Sequence, residues 1–358
     1  MRVIQIIDSL EPGGAERVAV NLANALAHKI DRSFLCTTRK EGLLKESINS
    51  DVGYLFLDKS GTFDLKAVFK LRTFLKRHDI DVVHAHSSSF FIAVLVKVFL
   101  FRVKIIWHDH YGNSEFLSNR KSKVLAFTSY LFSHILCVNE TLKNWAINNL
   151  HCKNVIFLPN FSVSVEIKSE TILKGTKGKR IVHLANLRPQ KNHEILIKAF
   201  NEVLKKYPDW TLHCVGKDFN DAYSKSVKRL ISKLQLENQV YLYGSCPDVF
   251  HILKQSTIGV LSSKSEGLPL ALLEYGVVGL PSIATNVGDC NLVISNKNEG
   301  FLIESEDVNA LKNALLSLIV DEKLRQNMGA CLKEKVMNNF SEAVQIHKLI
   351  EIYKLHIK

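Results

Sequence analysis

The chain has 358 residues, 46% of them hydrophobic and 23% charged. That balance excludes a disordered or low-complexity chain, and the length favours two cores, since a domain usually spans roughly 100 to 200 residues. With 47 Lys and Arg against 35 Asp and Glu, the formal charge of +12 suits an anionic partner without naming one. The seven cysteines are scattered and never spaced C-x-x-C, which excludes a disulfide framework or a zinc ribbon; they are expected as reduced thiols in a cytoplasmic protein.

From the start of the chain, Val3–Ile7 is too short for the apolar core of a signal peptide and the right length for a buried strand. Ala15–Ala27 has helical spacing, Ser33–Thr37 reads as a strand and Leu65–Lys76 as a helix. Strands follow at Asp81–His84, Lys104–Trp107, Ile135–Val138 and Val155–Leu158. The longest apolar run, Phe90 to Phe101, is broken by Lys97 and falls short of the ~20 residues a spanning helix needs, so no transmembrane segment is expected.

Between Val163 and Arg180, Ser, Thr, Gly and Lys mix without apolar periodicity, the mark of a linker. The same grammar then restarts, with strands at Ile181–Ala185, Thr211–Val215, Val240–Tyr243, Ile258–Leu261 and Pro281–Thr285. Helices are expected near His193–Tyr207, Ser224–Leu236, Pro269–Val278 and Asp307–Val320. The last stretch, Ser341–Lys358, is amphipathic through Ile346, Leu349, Ile350, Tyr353 and Ile357, and is expected to pack against a domain. These elements predict an α/β fold of two doubly wound, Rossmann-like parallel-sheet domains facing a central cleft. The expected boundaries are 1–165 for an acceptor-side domain, 166–179 for the linker and 180–340 for a donor domain, with helix 341–358 returning to the first domain.

The most informative segment runs from Leu261 through Glu266, Gly267, Leu268 and Pro269 to Glu274 and Gly276, followed by Gly279-Leu280-Pro281 and Asn286-Val287-Gly288. On one continuous helix, glutamates eight apart would be separated by ~12 Å of rise and could not easily share a small ligand. With Glu266 in a loop and Pro269 opening the helix that carries Glu274, both can line one pocket, and the helix amino terminus adds attraction for phosphate. Arg188 and Lys191 also follow a strand and precede a helix, so both cations can face the same ligand. Read alone, these are an acidic turn and two solvated cations.

Gly13 and Gly14 follow the first strand, where they permit close approach to an anion or acceptor and tolerate positive φ; a plain tight turn accounts for them nearly as well. The absence of a G-x-G-x-x-G fingerprint speaks against a nicotinamide cofactor. Trp107-His108-Asp109-His110 offers three ligand-capable side chains, but neighbours on a strand point to opposite faces, so no metal is expected there. Asp79-Ile80-Asp81 precedes a strand and reads as a solvated turn. His84 and His86 share one face and are candidates for acceptor contact or for a structural role.

Taken together, these motifs resemble those of the retaining nucleotide-sugar glycosyltransferases of family four, whose fold is GT-B. Glu266 and Glu274 match the family's E-x7-E signature within Ser-x-x-Glu-Gly-Leu-Pro, Arg188-Pro-Gln-Lys191-Asn its cationic loop, and Gly13-Gly14-Ala15-Glu16 its first glycine-rich turn. The resemblance implies transfer of a sugar from a nucleoside diphosphate to an acceptor hydroxyl with retention of configuration, needing no metal or other cofactor and no enzymic nucleophile. It implies that Glu274 holds the ribose, that Glu266 contacts the donor sugar, and that Arg188 and Lys191 neutralise the leaving diphosphate. It places Gly267, Leu268, Gly216 and Gly14 beside the donor and a donor-sugar histidine at His108 first, His110 second. Many relatives carry Gly-Arg where this chain has Ala185-Asn186, which implies that the phosphate cation has moved to Arg188.

Residues 59–123 hold twelve Lys or Arg against five acids, a net of +7, beside apolar helices. Such a surface can rest on an anionic inner leaflet, where a lipid-linked glycan acceptor would be found; a merely solvated basic face is the alternative. The expected enzyme is therefore a cytoplasmic glycosyltransferase of surface polysaccharide synthesis, such as that of a lipopolysaccharide or capsule, peripheral to the membrane. A nucleotide-sugar epimerase or phosphorylase on the same architecture is the alternative within enzymes. A basic nucleic-acid-binding protein is the alternative outside them, although the charge is spread over both halves and no nucleic-acid-binding motif accompanies it.

Overall fold

The computed structural model describes residues 1–111, 117, 120–161 and 170–357. The chain forms two compact units, Met1–Asn160 with Glu342–Lys358, and Phe161–Ser341. The first holds β1 (Arg2–Ser9), α1 (Gly14–Leu26), β2 (Arg32–Lys40), β3 (Gly53–Phe56), α2 (Leu65–Arg77), β4 (Val82–His86), α3 (Phe90–Phe99), β5 (Lys104–Asp109), α4 (Lys123–Thr128), β6 (Phe132–Cys137), α5 (Glu140–Asn149) and β7 (Val155–Phe157). Its sheet is wholly parallel, in the order β3-β2-β1-β4-β5-β6-β7.

The second unit comprises β8 (Arg180–Leu184), α6 (His193–Leu204), β9 (Thr211–Val215), α7 (Ala222–Lys233), β10 (Val240–Leu242), α8 (Val249–Lys254), β11 (Ile258–Leu261), α9 (Leu270–Val278), β12 (Ser282–Thr285), α10 (Cys290–Val293), β13 (Phe301–Ile303), α11 (Val308–Val320) and α12 (Glu322–Phe340). Its parallel sheet runs β10-β9-β8-β11-β12-β13. The final helix, α13 (Glu342–Lys354), belongs to the first unit.

Both sheets are buried on two faces, which is why their strands read as continuous apolar runs; Val3, Ile4, Ile6, Ile181, Val182 and Val260 are fully buried. In each sheet the strand order reverses at one point, between β1 and β4 in the first unit and between β8 and β11 in the second. Loops leaving such adjacent strands diverge to opposite faces and open a crevice, the usual ligand position in this architecture.

Three expectations are corrected. The linker expected at 166–179 is docked wherever it is described: the Glu170 and Thr171 amides donate to Asp248 at 2.9 and 2.7 Å, and Leu173 is buried against the second unit's core. Residues 162–169, which include the expected boundary at 165, lie outside the described residues. Pro269 is the cap preceding α9 rather than its first residue. Strands β3 and β13 were not anticipated; they are edge strands of four and three residues.

Candidate active site

Lys191 lies in the loop after β8 and Glu266 in the loop after β11, the two strands flanking the second unit's reversal point. Their side chains meet, with Lys191 Nζ 2.6 Å from Glu266 Oε1. The same oxygen accepts from Ser263 Oγ at 2.6 Å, and Thr285 Oγ1 donates to the Ser263 carbonyl at 2.6 Å. Backbone contacts hold the loops together: the Lys264 amide donates to the Gln190 carbonyl at 2.7 Å, and Ser262 Oγ to that of Lys191 at 3.1 Å. The Glu266 side chain is only 8% exposed, so this carboxylate is held by a cation and a hydroxyl rather than by water.

Gly288, from the Asn286-Val287-Gly288 segment, packs against the backbone of Glu266 and Gly267. Its φ is +54°, and a Cβ there would stand 2.0 Å from the Glu266 carbonyl oxygen, so only glycine fits. The next residue's amide, Asp289 N–H, donates to the Gly267 carbonyl at 3.1 Å.

Glu274 sits half-buried in the second turn of α9. The rotation of that helix is fixed by its neighbour Tyr275, whose ring packs where a Cβ on Gly259 would be 2.7 Å away. The Tyr275 hydroxyl accepts from the Leu184 amide at 2.8 Å and donates to the Val260 carbonyl at 3.1 Å. Successive helical residues are about 100° apart, so Glu274 lies to one side of the face that Tyr275 buries.

Among the described residues, Arg188 forms no ion pair and stands apart from the Lys191–Glu266 contact. It is exposed and lies over the Phe219 ring, 4.7 Å from its centroid. Asn186 Oδ1 accepts from the Lys217 amide at 2.7 Å and ties the β8 loop to the loop after β9. Gly216 is in that second loop, its amide donating to the Gly244 carbonyl at 2.8 Å. Leu268 is buried in the core, so its side chain cannot face a donor.

In the first unit, Gly13 caps α1 with an extended φ of −153°, and Gly14 is its first residue. Neither adopts a positive φ, but a Cβ on Gly14 would meet nothing within 4 Å, so the turn leaves room for a ligand. His84 and His86 on β4 share a face, as expected, with rings stacked at 4.6 Å; His108 joins them from β5, its Nδ1 3.2 Å from His84 Nε2. All three are buried, which rules out direct contact of His84 or His86 with an acceptor. Their ring nitrogens lie within 4.8 Å of one another, a spacing that could suggest a metal. Both nitrogens of His84 and of His86 and one of His108 are already hydrogen-bonded, so the set does not fit a metal without being dismantled.

His108, the first choice for a sugar contact, is 1% exposed, and its Nε2 has no partner among the described residues. His110, the second choice, is half-buried and lines a cavity of about 640 Å³. Burial holds all four imidazoles below their ordinary range, His110 at about 3, so they are neutral. The roles of Ser263, Gly288 and Tyr275 are not legible in the sequence, nor is that of Gln5, whose Oε1 lies 2.8 Å from His86 Nε2 and whose amide nitrogen is 3.3 Å from the Tyr353 hydroxyl. Ser263 and Gly288 stood in the quoted motifs, but their contacts with Glu266 cross loops that sequence spacing does not connect.

Comparison with known proteins now decides the family. Residues 12–161 match the family described as Glycosyltransferase Family 4, and residues 164–335 the one described as Glycosyl transferases group 1. The chain belongs to the family-four glycosyltransferases. This glycosyltransferase is 26% identical to the Escherichia coli UDP-Gal:alpha-D-GlcNAc-diphosphoundecaprenol alpha-1,3-galactosyltransferase, over 95% of this chain and 93% of the relative. It is also 26% identical to the N-acetyl-alpha-D-glucosaminyl L-malate synthase of Bacillus anthracis, over 81% and 79% of the respective chains. Its fold is GT-B, like that of Anabaena HepE solved in complex with UDP, with a TM-score of 0.80, 17% identity and coverage of 99% and 100%. Membership in a transferase family leaves the nucleic-acid-binding reading without support.

Proposed function

We propose that this glycosyltransferase moves a hexose or N-acetylhexosamine from a uridine diphosphate donor to a hydroxyl of a lipid-linked glycan, retaining the anomeric configuration and working without a metal. The Lys191–Glu266 pair carries the reading, because it sets a cation and a carboxylate side by side at the strand ends where a sugar diphosphate would bind. Breaking the bond between the anomeric carbon and the diphosphate puts negative charge on the leaving phosphate, so a preorganised ammonium there lowers the barrier. The acceptor hydroxyl attacks the same face, and its proton passes to the departing phosphate oxygen.

Glu266 commits Oε1 to Lys191 and Ser263, and its second oxygen can accept from a donor-sugar hydroxyl. In this reading Glu274 is the ribose ligand, and Arg188, which lies over the Phe219 ring, is a second cation for the diphosphate. Uridine and the lipid-linked acceptor are suggested by the Escherichia coli relative and by UDP in the Anabaena structure. A role in surface polysaccharide synthesis is suggested by the diphosphoundecaprenol-linked acceptor in the name of the Escherichia coli relative.

Peripheral attachment to an anionic leaflet is part of the proposal. Phe63, Leu65, Phe69, Phe99 and Phe101 are all exposed on or beside α2 and α3, with Phe69 and Phe99 5.6 Å apart, among the exposed cations Lys66, Lys70 and Arg102. Exposed aromatic rings set among lysines suit a membrane surface. Among the described residues, no helix is long and apolar enough to cross a membrane.

The test is a thermal-shift panel of nucleoside diphosphates and their sugars. A true donor at 100 times its dissociation constant stabilises the fold by about 2.7 kcal/mol. A panel in which no nucleoside diphosphate shifts the midpoint defeats the reading.

A further inference from the structure

We infer that the adjacent serines Ser262 and Ser263 are positioning residues for transfer, Ser262 setting the backbone of Lys191 and Ser263 the carboxylate of Glu266. The inference rests on the transferase reading and deepens it, by naming what holds the pair to the geometry the reaction needs.

Both serines are fully buried in the loop after β11, and their side chains go to different partners. Ser262 Oγ donates to the Lys191 carbonyl at 3.1 Å and to that of Asn192 at 3.2 Å. The Lys264 amide donates to the Gln190 carbonyl at 2.7 Å. Three consecutive carbonyls of the loop after β8 thus accept from the loop that carries Glu266. This support falls at a strained position, because Asn192 has a φ of +51°. Asparagine tolerates that region when its short side chain bonds locally. Here Asn192 makes no side-chain cap to α6, and its Nδ2 has no partner among the described residues. The turn is therefore held from outside, and Ser262 holds it on both sides of the peptide that leaves Lys191.

Ser263 serves the other half of the pair. Its Oγ donates to Glu266 Oε1 at 2.6 Å, the oxygen that also takes Lys191 Nζ at 2.6 Å. Two donors fill the two lone pairs of that oxygen, which directs a donor-sugar hydroxyl to Oε2. A carboxylate turns about a broad, roughly two-fold torsion, so without the second donor its oxygens can exchange. Ser263 is itself fixed through its carbonyl, which accepts from Thr285 Oγ1 at the end of β12 at 2.6 Å and from Ser305 Oγ in the loop after β13 at 3.4 Å. Peptide carbonyls only accept, and so does a carboxylate oxygen facing an ammonium, so each serine hydrogen has a single direction. Neither serine needs to touch the substrate. They act through Lys191 and Glu266, whose alignment with the reacting bond governs the rate.

Turnover is read as release of UDP from UDP-glucose, UDP-galactose and UDP-N-acetylglucosamine, with water as the acceptor. Ser262→Ala and Ser263→Ala should each lower kcat roughly five- to tenfold, the worth of one hydrogen bond, with KM and calorimetric UDP affinity within about twofold of wild type. In Lys191→Met neither alanine should lower kcat further, because the serines act through that lysine. A serine that only supports the fold would lower the urea midpoint and add its loss in both backgrounds; such additivity, or a loss confined to KM, overturns the proposal. The Lys191 ammonium gives a readout that needs no donor. In the full chain with 15N-labelled lysine, the Nζ signal that Lys191→Met removes should shift in both alanine variants, and a signal unmoved in both overturns the proposal. If an alanine variant does not fold, the cysteine variant, which keeps the volume and weakens the donor, is read in its place. Where wild type releases no UDP, the Lys191 signal alone decides the role of the serines; if wild type also fails to bind UDP, the donor reading fails separately.

Discussion

Lys191 and Glu266 are 75 residues apart and meet at 2.6 Å because β8 and β11, which deliver them, are neighbours at the point where the strand order reverses. The cation is a quarter exposed and the carboxylate nearly buried, so Lys191 holds Glu266 while part of its side chain stays open to solvent. Lys191→Ala is expected to slow transfer about 10²-fold or more, the usual cost of removing one preorganised donor from a developing charge. It should also destabilise the second unit by about 1–3 kcal/mol, because Glu266 is left with Ser263 alone. The double variant Lys191→Met, Glu266→Gln should recover part of that stability and none of the rate, as read by urea unfolding and donor turnover. Additive losses in both would contradict the coupling.

The ribose contact proposed for Glu274 gives its removal a different expected signature. Glu274→Ala is expected to weaken nucleoside diphosphate binding roughly ten- to a hundredfold, as expected for lost charge-assisted hydrogen bonds to a ribose. The helix itself is held by Tyr275, which the substitution leaves alone. Calorimetric titration with uridine diphosphate separates the two glutamates: Glu274→Ala loses affinity for the nucleotide without its sugar, and Glu266→Ala keeps it. Unchanged affinity in Glu274→Ala removes it from the donor site.

The strands of both sheets were legible because a strand buried on two faces must be a short apolar run between turns, as Val3–Ile7 and Ile258–Leu261 are. Strands β3 and β13 escaped notice because an edge strand of three or four half-buried residues needs neither a long run nor an alternation. The meeting of Lys191 with Glu266 could be anticipated from two loops that each follow a strand. What Arg188 does could not, since its partner Phe219 lies beyond a third strand. The His-x-His pairs on β4 and β5 announced a shared face but not their burial. The groups that satisfy them, Gln5 and Tyr353, come from opposite ends of the chain, 348 residues apart.

That buried cluster makes a prediction about pH. His84, His86 and His108 are at most 1% exposed, and burial, reinforced by neighbouring imidazoles, holds each well below its ordinary value of 6.5. The folded chain thus binds fewer protons than the unfolded chain at acid pH. Their contribution is complete above about 6.5 and is lost as pH falls toward the folded-state values, at about 1.4 kcal/mol per pH unit for each histidine. His183 and His213 in the second unit, each held down to about 4 by burial, act in the same direction. Urea unfolding between about pH 7 and 5 should show uptake of several protons. His84→Gln should reduce that uptake by about one. Total uptake below one proton would show that these imidazoles are charged in the folded state.

The aromatic and basic surface of the first unit puts the proposed membrane attachment to a test. Phe63 and Phe101 are 75% and 80% exposed, a cost in water that an interfacial position would remove. Co-sedimentation should therefore be strong with vesicles of phosphatidylcholine and phosphatidylglycerol, and weak with phosphatidylcholine alone. Each well-placed cation contributes about 1 kcal/mol, so added salt should reduce binding steeply. Phe63→Ser with Phe101→Ser should abolish the residual binding at high salt, and Lys66→Glu with Lys70→Glu the dependence on anionic lipid. Neither pair touches the buried residues Ala67, Val68, Leu71 and Leu75 of α2, so the unfolding midpoint should stay within a degree or two. Transfer to a water-soluble acceptor should then be unaffected while transfer to an acceptor embedded in vesicles falls, a divergence that a solvated basic face would not produce.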